Sequence, residues 1–268
     1  MKVHKMLCNV WGNFPLLLRL ENTDSLLEKM SPPLDWLSPR ELDRLNAITS
    51  TERRKNWLAG RYAAKTMALS LMPGTAWRDF ELLSKDTAGQ GIAPYFKCRG
   101  EDCPLMLSLS HTEHEIAVAM SRDIGQFGVD LVDLDDSPQK LGHIWEYWLT
   151  ANEKQQVLPK DRREIARRWS LKEAAYKSMR YTRTGFFPLH FEVLRGVRHS
   201  WQIRHHDTII FNQGDIAVLE SRGSLFTMVC RHVLPVAPYF AGNIVLARKS
   251  DPRYNVCRLR RNTNVPQK

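Results

Sequence analysis

The sequence predicts an α+β protein made of two similar α/β halves related by pseudo-twofold symmetry. Two observations lead there. Helix-length stretches rich in Ala, Leu, Lys and Arg alternate with short apolar or alternating runs of strand length. The chain also appears twice within itself, as two tandem units of similar plan. With 268 residues, 43% of them hydrophobic, it has the size and core material for one large or two small globular domains.

Helices are expected at about 38–48, 51–72, 139–149, 150–158 and 161–180. Ser38, then Pro39, with Glu41 at the third helical position, is a capping-box start. Thr150 with Glu153 is another. Strands are expected near 6–10, 15–20, 78–84, 105–110, 115–121, 126–132, 189–195, 200–205, 215–220 and 225–232. Gly125 and Gly128 frame the junction, which divides the chain into an N-terminal half at 1–122, a C-terminal half at 123–247 and a mobile basic tail at 248–268.

The repeat is read from Trp57-Leu58-Ala59-Gly60-Arg61-Tyr62-Ala63-Ala64-Lys65 against Trp169-Ser170-Leu171-Lys172-Glu173-Ala174-Ala175-Tyr176-Lys177. Each places a Trp, a charge four on and a Lys four further on one helical face. A strand-like segment follows each helix, at Phe80 and at Phe191, 23 and 22 residues after the Trp. A cleft between the halves is the expected ligand site. Duplication inside one chain favours a monomer, since the second half can serve as the partner subunit.

Charge and cysteine content narrow the partners. The net charge is +10, a field that attracts phosphorylated ligands, nucleic acid or an acidic protein. The tail carries part of it and is a solvated terminus or a contact for an acidic partner. No apolar run has membrane-spanning length, and Phe14-Pro15-Leu16-Leu17-Leu18 reads as an early strand rather than a signal peptide, so a cytoplasmic protein is expected. Five scattered cysteines, at 8, 98, 103, 230 and 257, read as reduced thiols.

Three ordered segments carry the chemistry. Ser108-Leu109-Ser110-His111 ends a strand, Gly128-Val129-Asp130-Leu131-Val132-Asp133 forms the next, and the helix around Trp169 supplies Lys172, Glu173 and Lys177. Asp130 on an apolar strand needs a cation, donors or water, because an unpaired buried carboxylate is costly. It is a metal ligand or a strand-end acid taking backbone donors. Asp133, Asp135 and Asp136 read as a solvated loop. Glu173 and Lys177, four apart, form a surface ion pair or a metal oxygen beside a phosphate-neutralising ammonium. His111 caps or packs at the strand end, or donates to a phosphate oxygen. Arg61 and Lys65 place positive charge on the first long helix, where a remote ligand phosphate would fit. His114, His205 and His206 lack partners at catalytic spacing.

The order Ser-Leu-Ser-His, Gly-Val-Asp, then Trp-x-x-Lys-Glu-Ala-x-x-Lys resembles the 4′-phosphopantetheinyl transferases, in particular their long, pseudo-duplicated class typified by the surfactin-synthetase activator. The resemblance covers roughly residues 40–235. It implies two α/β halves with coenzyme A between them, a magnesium ion on the diphosphate, and an acidic apo carrier protein as acceptor. It makes Asp130 and Glu173 the metal ligands, and Lys172, Lys177 and His111 contacts to the coenzyme A phosphates. Arg61 resembles an arginine that takes the 3′-phosphate, and Lys65 and Ser110 line the same ligand. The implied reaction is attack by the carrier serine on the β-phosphorus, with Glu173 or a water on the metal as base and 3′,5′-ADP leaving.

Two departures stand out. Val132 occupies a position that is acidic in many members. The family's Gly-Lys-Pro stretch reads Gly91-Ile92-Ala93-Pro94-Tyr95, with Lys97 as a possible substitute for its lysine. A degenerate member that binds coenzyme A without efficient transfer, or a basic nucleic-acid-binding protein, are the competing expectations. The second requires aromatic and basic residues interleaved along a strand face, which the sequence lacks. Phe186 and Phe187, after Gly185, pack in the core or against a carrier.

Overall fold

The computed structural model describes residues 6–9, 15–30, 34–85, 91–122, 126–135, 138–179, 188–196, 200–220 and 223–231. The tail, Gly125, Asp136 and Phe186–Phe187 lie outside them. Six helices and three sheets form a mixed α/β architecture among these residues.

The first half runs β1 (Met6–Asn9), β2 (Pro15–Asn22), α1 (Thr23–Glu28), α2 (Pro39–Asn46), α3 (Thr51–Leu71), β3 (Phe80–Lys85), β4 (Gly91–Cys98), β5 (Glu101–His111) and β6 (Glu115–Ser121). Its strands form one antiparallel sheet in the order β1-β2-β6-β5-β4-β3. The second half runs β7 (Gln126–Asp133), α4 (Pro138–Trp148), α5 (Ala151–Gln156), α6 (Arg162–Met179), β8 (Phe191–Arg195), β9 (Trp201–His205), β10 (Thr208–Phe211), β11 (Ile216–Glu220) and β12 (Ser224–Arg231). Its strands form two sheets, β11-β12-β7 and β10-β9-β8. The two orders correspond when β5 is matched to β10 and β11 together. A short turn at Gln213–Asp215 breaks that long strand in the second half.

The expected helices and most strands are present within a residue or two. Three elements escape the sequence reading. Helix α1 is only six residues, β4 carries Pro94, a residue that argues against a strand interior, and β10 is four residues long between polar turns.

A recurrent set of contacts is present, in a different register from the one the Trp57–Trp169 match implies. Its anchor is Trp36-Leu37-Ser38-x-x-Glu41 against Trp148-Leu149-Thr150-x-x-Glu153. Both segments close a capping box. In the first half Lys65 Nζ donates to Glu41 (2.6 Å) and to the Trp36 carbonyl (2.8 Å), while the Leu82 N–H donates to the other Glu41 oxygen (3.2 Å). In the second half Lys172 Nζ pairs with Glu153 (2.5 Å) and donates to the Trp148 carbonyl (2.7 Å), while the Val193 N–H donates to Glu153 (2.9 Å). Arg61 and Arg168 each reach the carbonyl of the same strand residue, Leu82 and Val193. Lys65 therefore corresponds to Lys172, not to Lys177. The first-half helix places Thr66 and Ser70 where the second half has Glu173 and Lys177.

Each of these lysine–glutamate pairs lies wholly out of solvent. Burial lowers the ammonium pKa of both lysines, and the paired glutamate works against that shift. They tie a capping helix, a long helix and a strand together at one point in each half.

The halves meet through an apolar layer of Leu16, Leu18, Ala117 and Ala119 from β2 and β6 against Phe127, Val129, Leu131, Phe226 and Met228 from β7 and β12. Helix α6 covers the other face of β7. Asp161 caps it, its side chain accepting the Glu164 N–H at 3.1 Å. Alanines 174 and 175 and Leu171 pack inward without exposure. Gly128 makes the approach possible, since a Cβ there would meet the Ala174 carbonyl oxygen at 2.0 Å and the Ser178 nitrogen at 2.6 Å.

Candidate active site

Asp130 lies in the middle of β7, opposite Thr227, and is 4% exposed. The close packing of β7 on α6 brings Lys177 over it, with Nζ 2.6 Å from Asp130 Oδ1. The Ser110 hydroxyl, from the end of β5, donates to the same oxygen at 2.9 Å and accepts from Lys177 Nζ at 3.0 Å. Glu173, one turn back along α6, is 3.9 Å from Lys177 Nζ. Four of the expected site residues, Ser110, Asp130, Glu173 and Lys177, thus converge from three elements and both halves.

The electrostatics favour a cation. Asp130 Oδ2 is buried and accepts no hydrogen bond from the described residues. Burial, with the nearby Asp130 charge adding to it and Lys177 opposing it, pushes the Glu173 carboxyl up to about 7. Two carboxylates, one with an orphaned oxygen and one held partly protonated by its surroundings, would both be relieved by a divalent ion. Among the described residues no group of three or more His, Cys, Asp or Glu gathers around one point. An ion here would take two protein carboxylates and draw its other oxygens from ligand and water. That donor set fits magnesium. Val132 offers nothing further, being 6% exposed and packed among Leu141, Ile144, Leu149 and Ile165. Asp133 accepts the Asp135 N–H, as a loop acid would.

His111 closes β5 one residue past Ser110. Its rim is exposed, yet desolvation, with the Lys177 charge second, holds its pKa below the ordinary value while Asp130 and Glu52 oppose. It is therefore a neutral imidazole beside the site near pH 7. The influence of Glu52 places the first turn of α3 at the rim as well.

Arg61 sits apart, on a cavity of about 410 Å³ whose lining includes four cations, Arg40, Arg44, Arg61 and Lys85, and one acid, Glu41. Its guanidinium stacks 3.5 Å from the Trp57 ring centroid, and its buried Nε has no hydrogen-bond partner among the described residues, only Glu41 at 4.0 Å. Burial lowers its pKa to about 9, with Glu41 opposing and Arg44 assisting. A crowd of cations with an orphaned donor is suited to an anion.

Two lysines expected among the ligand contacts have other partners in this structure. Lys65 and Lys172 spend their ammoniums on Glu41 and Glu153, fully enclosed, and neither charge is free for a phosphate. Lys97 does not replace the missing lysine at this cavity: it turns to Gly100 and Asp102 at the β4–β5 turn, and Lys85, Arg40 and Arg44 supply the charge instead. Sequence reasoning placed Glu41 and Glu153 in capping boxes but missed their pairing with Lys65 and Lys172, and it missed Arg40, Arg44 and Lys85. The recurrent Trp-Leu-Ser/Thr-x-x-Glu segment was the available signal for the two glutamates.

Residues 126–226 match the family model of the 4′-phosphopantetheinyl transferase superfamily. The matched segment contains Asp130, Glu173 and Lys177, and it supports a transferase. No curated protein matches the chain. No described helix is long and apolar enough to cross a membrane.

Proposed function

We propose that the protein transfers the 4′-phosphopantetheine group of coenzyme A to a serine of an apo acyl or peptidyl carrier protein, releasing 3′,5′-ADP. The observation that carries the reading is the convergence of Asp130, Glu173 and Lys177, with an orphaned Asp130 oxygen, inside the segment similar to the superfamily. The two halves form a pseudo-twofold pair, and coenzyme A lies between them.

Asp130 and Glu173 hold a magnesium ion. That ion supplies charge neutralisation at the diphosphate when bound. Lys177, already on Asp130, swings toward the bridging and β-phosphate oxygens, where negative charge grows as the anhydride bond breaks. Neutral His111 donates one N–H to the same phosphates. The serine oxygen forms its bond to phosphorus as the bond to the 3′,5′-ADP oxygen breaks, and the serine proton passes to Glu173. Arg61, Arg40, Arg44 and Lys85 take the 3′-phosphate in the first-half cavity. The positive field of the chain, +10, speeds encounter with an acidic carrier.

The test is direct. The protein is mixed with an apo carrier protein, coenzyme A and magnesium, and the carrier is weighed by mass spectrometry. A gain of one phosphopantetheine, lost in Asp130→Ala and Glu173→Ala, supports the reading. Coenzyme A binding without any gain on several carriers rejects transfer and leaves a binding protein.

A further inference from the structure

Strand β7 is the outer strand of its sheet, with β12 on one side only. In an antiparallel pair, alternate residues turn their N–H groups away from the partner strand. Val129 and Leu131, on either side of Asp130, do so. Both are buried, so their outward N–H groups need acceptors.

The acceptors are two side chains. The Val129 N–H donates to Ser108 Oγ at 3.0 Å and the Leu131 N–H to Ser110 Oγ at 3.2 Å. Ser108 and Ser110 are two apart on β5, so they share a face and match the two-residue spacing of the open edge they meet. Both serines are buried. In the first half the corresponding strand, β2, has its edge covered by the backbone of β1 instead.

Ser110 has no hydrogen-bonding capacity left over. A hydroxyl has one proton and two lone pairs. Its proton goes to Asp130 Oδ1, and its lone pairs receive Leu131 N–H and Lys177 Nζ. In this arrangement the hydroxyl is committed to the acid, the strand and the lysine.

We propose that Ser108 and Ser110 are positioning residues, two hydroxyl rungs that cap the open edge of β7 from the other half and fix the Asp130 carboxylate in place. Among the described residues Ser108 makes no hydrogen bond to Asp130 or Lys177 and reaches the acid through the strand, which makes it the cleaner probe. The metal part of the test rests on the transferase reading; the exchange part does not.

Amide exchange of the full-length chain, read by mass spectrometry on peptides spanning 127–133, reports the rungs. Ser108→Ala is expected to speed exchange at Val129 by about 5- to 10-fold, the loss of one net hydrogen bond. It is expected to weaken binding of Mn²⁺, added alone and followed by electron paramagnetic resonance, by a similar factor. Ser108→Thr keeps the hydroxyl and restores both, whereas Ser108→Val, of nearly the same shape, restores neither. A mere packing role would make Thr and Val behave alike, and that result overturns the proposal. So does wild-type exchange at Val129 and Leu131 as fast as at a free strand edge, a measurement that needs no variant to fold. If the wild type holds no Mn²⁺ in the absence of coenzyme A, the exchange data alone decide for or against the rungs.

Discussion

Gly128 and Ala174 approach so closely that a single added methyl group on the glycine would lie 2.0 Å from the alanine carbonyl oxygen. That contact sets the distance between β7 and α6, and with it the reach of Lys177 to Asp130. Gly128→Ala must push backbone against backbone, which no rotamer change can relieve. It should cost about 1–3 kcal/mol or more in chemical denaturation. Any folded fraction should have lost carrier modification, because the lysine no longer spans the gap.

Asp130→Asn keeps the shape and removes the charge. Carrier modification should fall by about 10²-fold or more, the scale of losing one preorganised electrostatic partner of the reacting group. Divalent-ion binding should disappear in the same variant. Retained Mn²⁺ affinity would mean that Asp130 is not the ligand.

Lys172 and Glu153 make an opposite prediction. Removing one partner strands a buried charge, so Lys172→Ala or Glu153→Ala should each lower stability by about 3–5 kcal/mol. Glu153→Leu combined with Lys172→Met should recover much of that loss. Coenzyme A affinity, measured by calorimetry on the folded double variant, should stay near wild type, because the pair supports the fold and does not touch the ligand.

Glu173 gives the chain a pH signature. Its folded pKa, about 7, lies above the ordinary glutamate value of 4.5. Between these values the folded state binds more protons than the unfolded one, so stability from this group is complete below about pH 4.5 and is lost as pH rises through 7. The loss amounts to about 3.4 kcal/mol at most. Glu173→Gln should flatten this part of the stability profile in urea titrations at fixed pH, with no divalent ion present. Mg²⁺ should stabilise the wild type more at pH 8 than at pH 5.

Arg61 predicts a substrate preference. Arg61→Ala should raise the KM for coenzyme A by roughly 10-fold or more, the worth of a hydrogen bond to a charged group. The KM for 3′-dephospho-coenzyme A should barely move. Equal effects on both donors would remove the 3′-phosphate from this cavity.

Much of the site was legible before folding. The strand with Asp130 and the helix with Glu173 and Lys177 carry their chemistry at short spacings that local geometry dictates. The capping boxes at Ser38 and Thr150 likewise involve neighbours in sequence. What escaped depends on distant contacts. Nothing near Lys65 or Lys172 announces that its ammonium will be enclosed by a glutamate on another helix. The Trp57–Trp169 match misled because tryptophan is conspicuous, while the true anchors were the quieter Trp36 and Trp148 segments. Strand β4 hid behind Pro94, and the edge-capping part of Ser108 is visible only once β7 is known to lack a neighbour on that side.

The strand register has one more outcome. The β5–β6 hairpin closes at His111–Ile116 and the β11–β12 hairpin at Glu220–Leu225. Counting from those turns, Arg19 on β2, opposite Val118, occupies the place that Asp130, opposite Thr227, occupies on β7. Arg19 is buried and answered internally by Glu21 at 3.0 Å. One strand thus carries an internally paired cation where the other carries an acid, so saturation should come at one divalent ion per polypeptide, and a stoichiometry of two would require a seat that the guanidinium already fills.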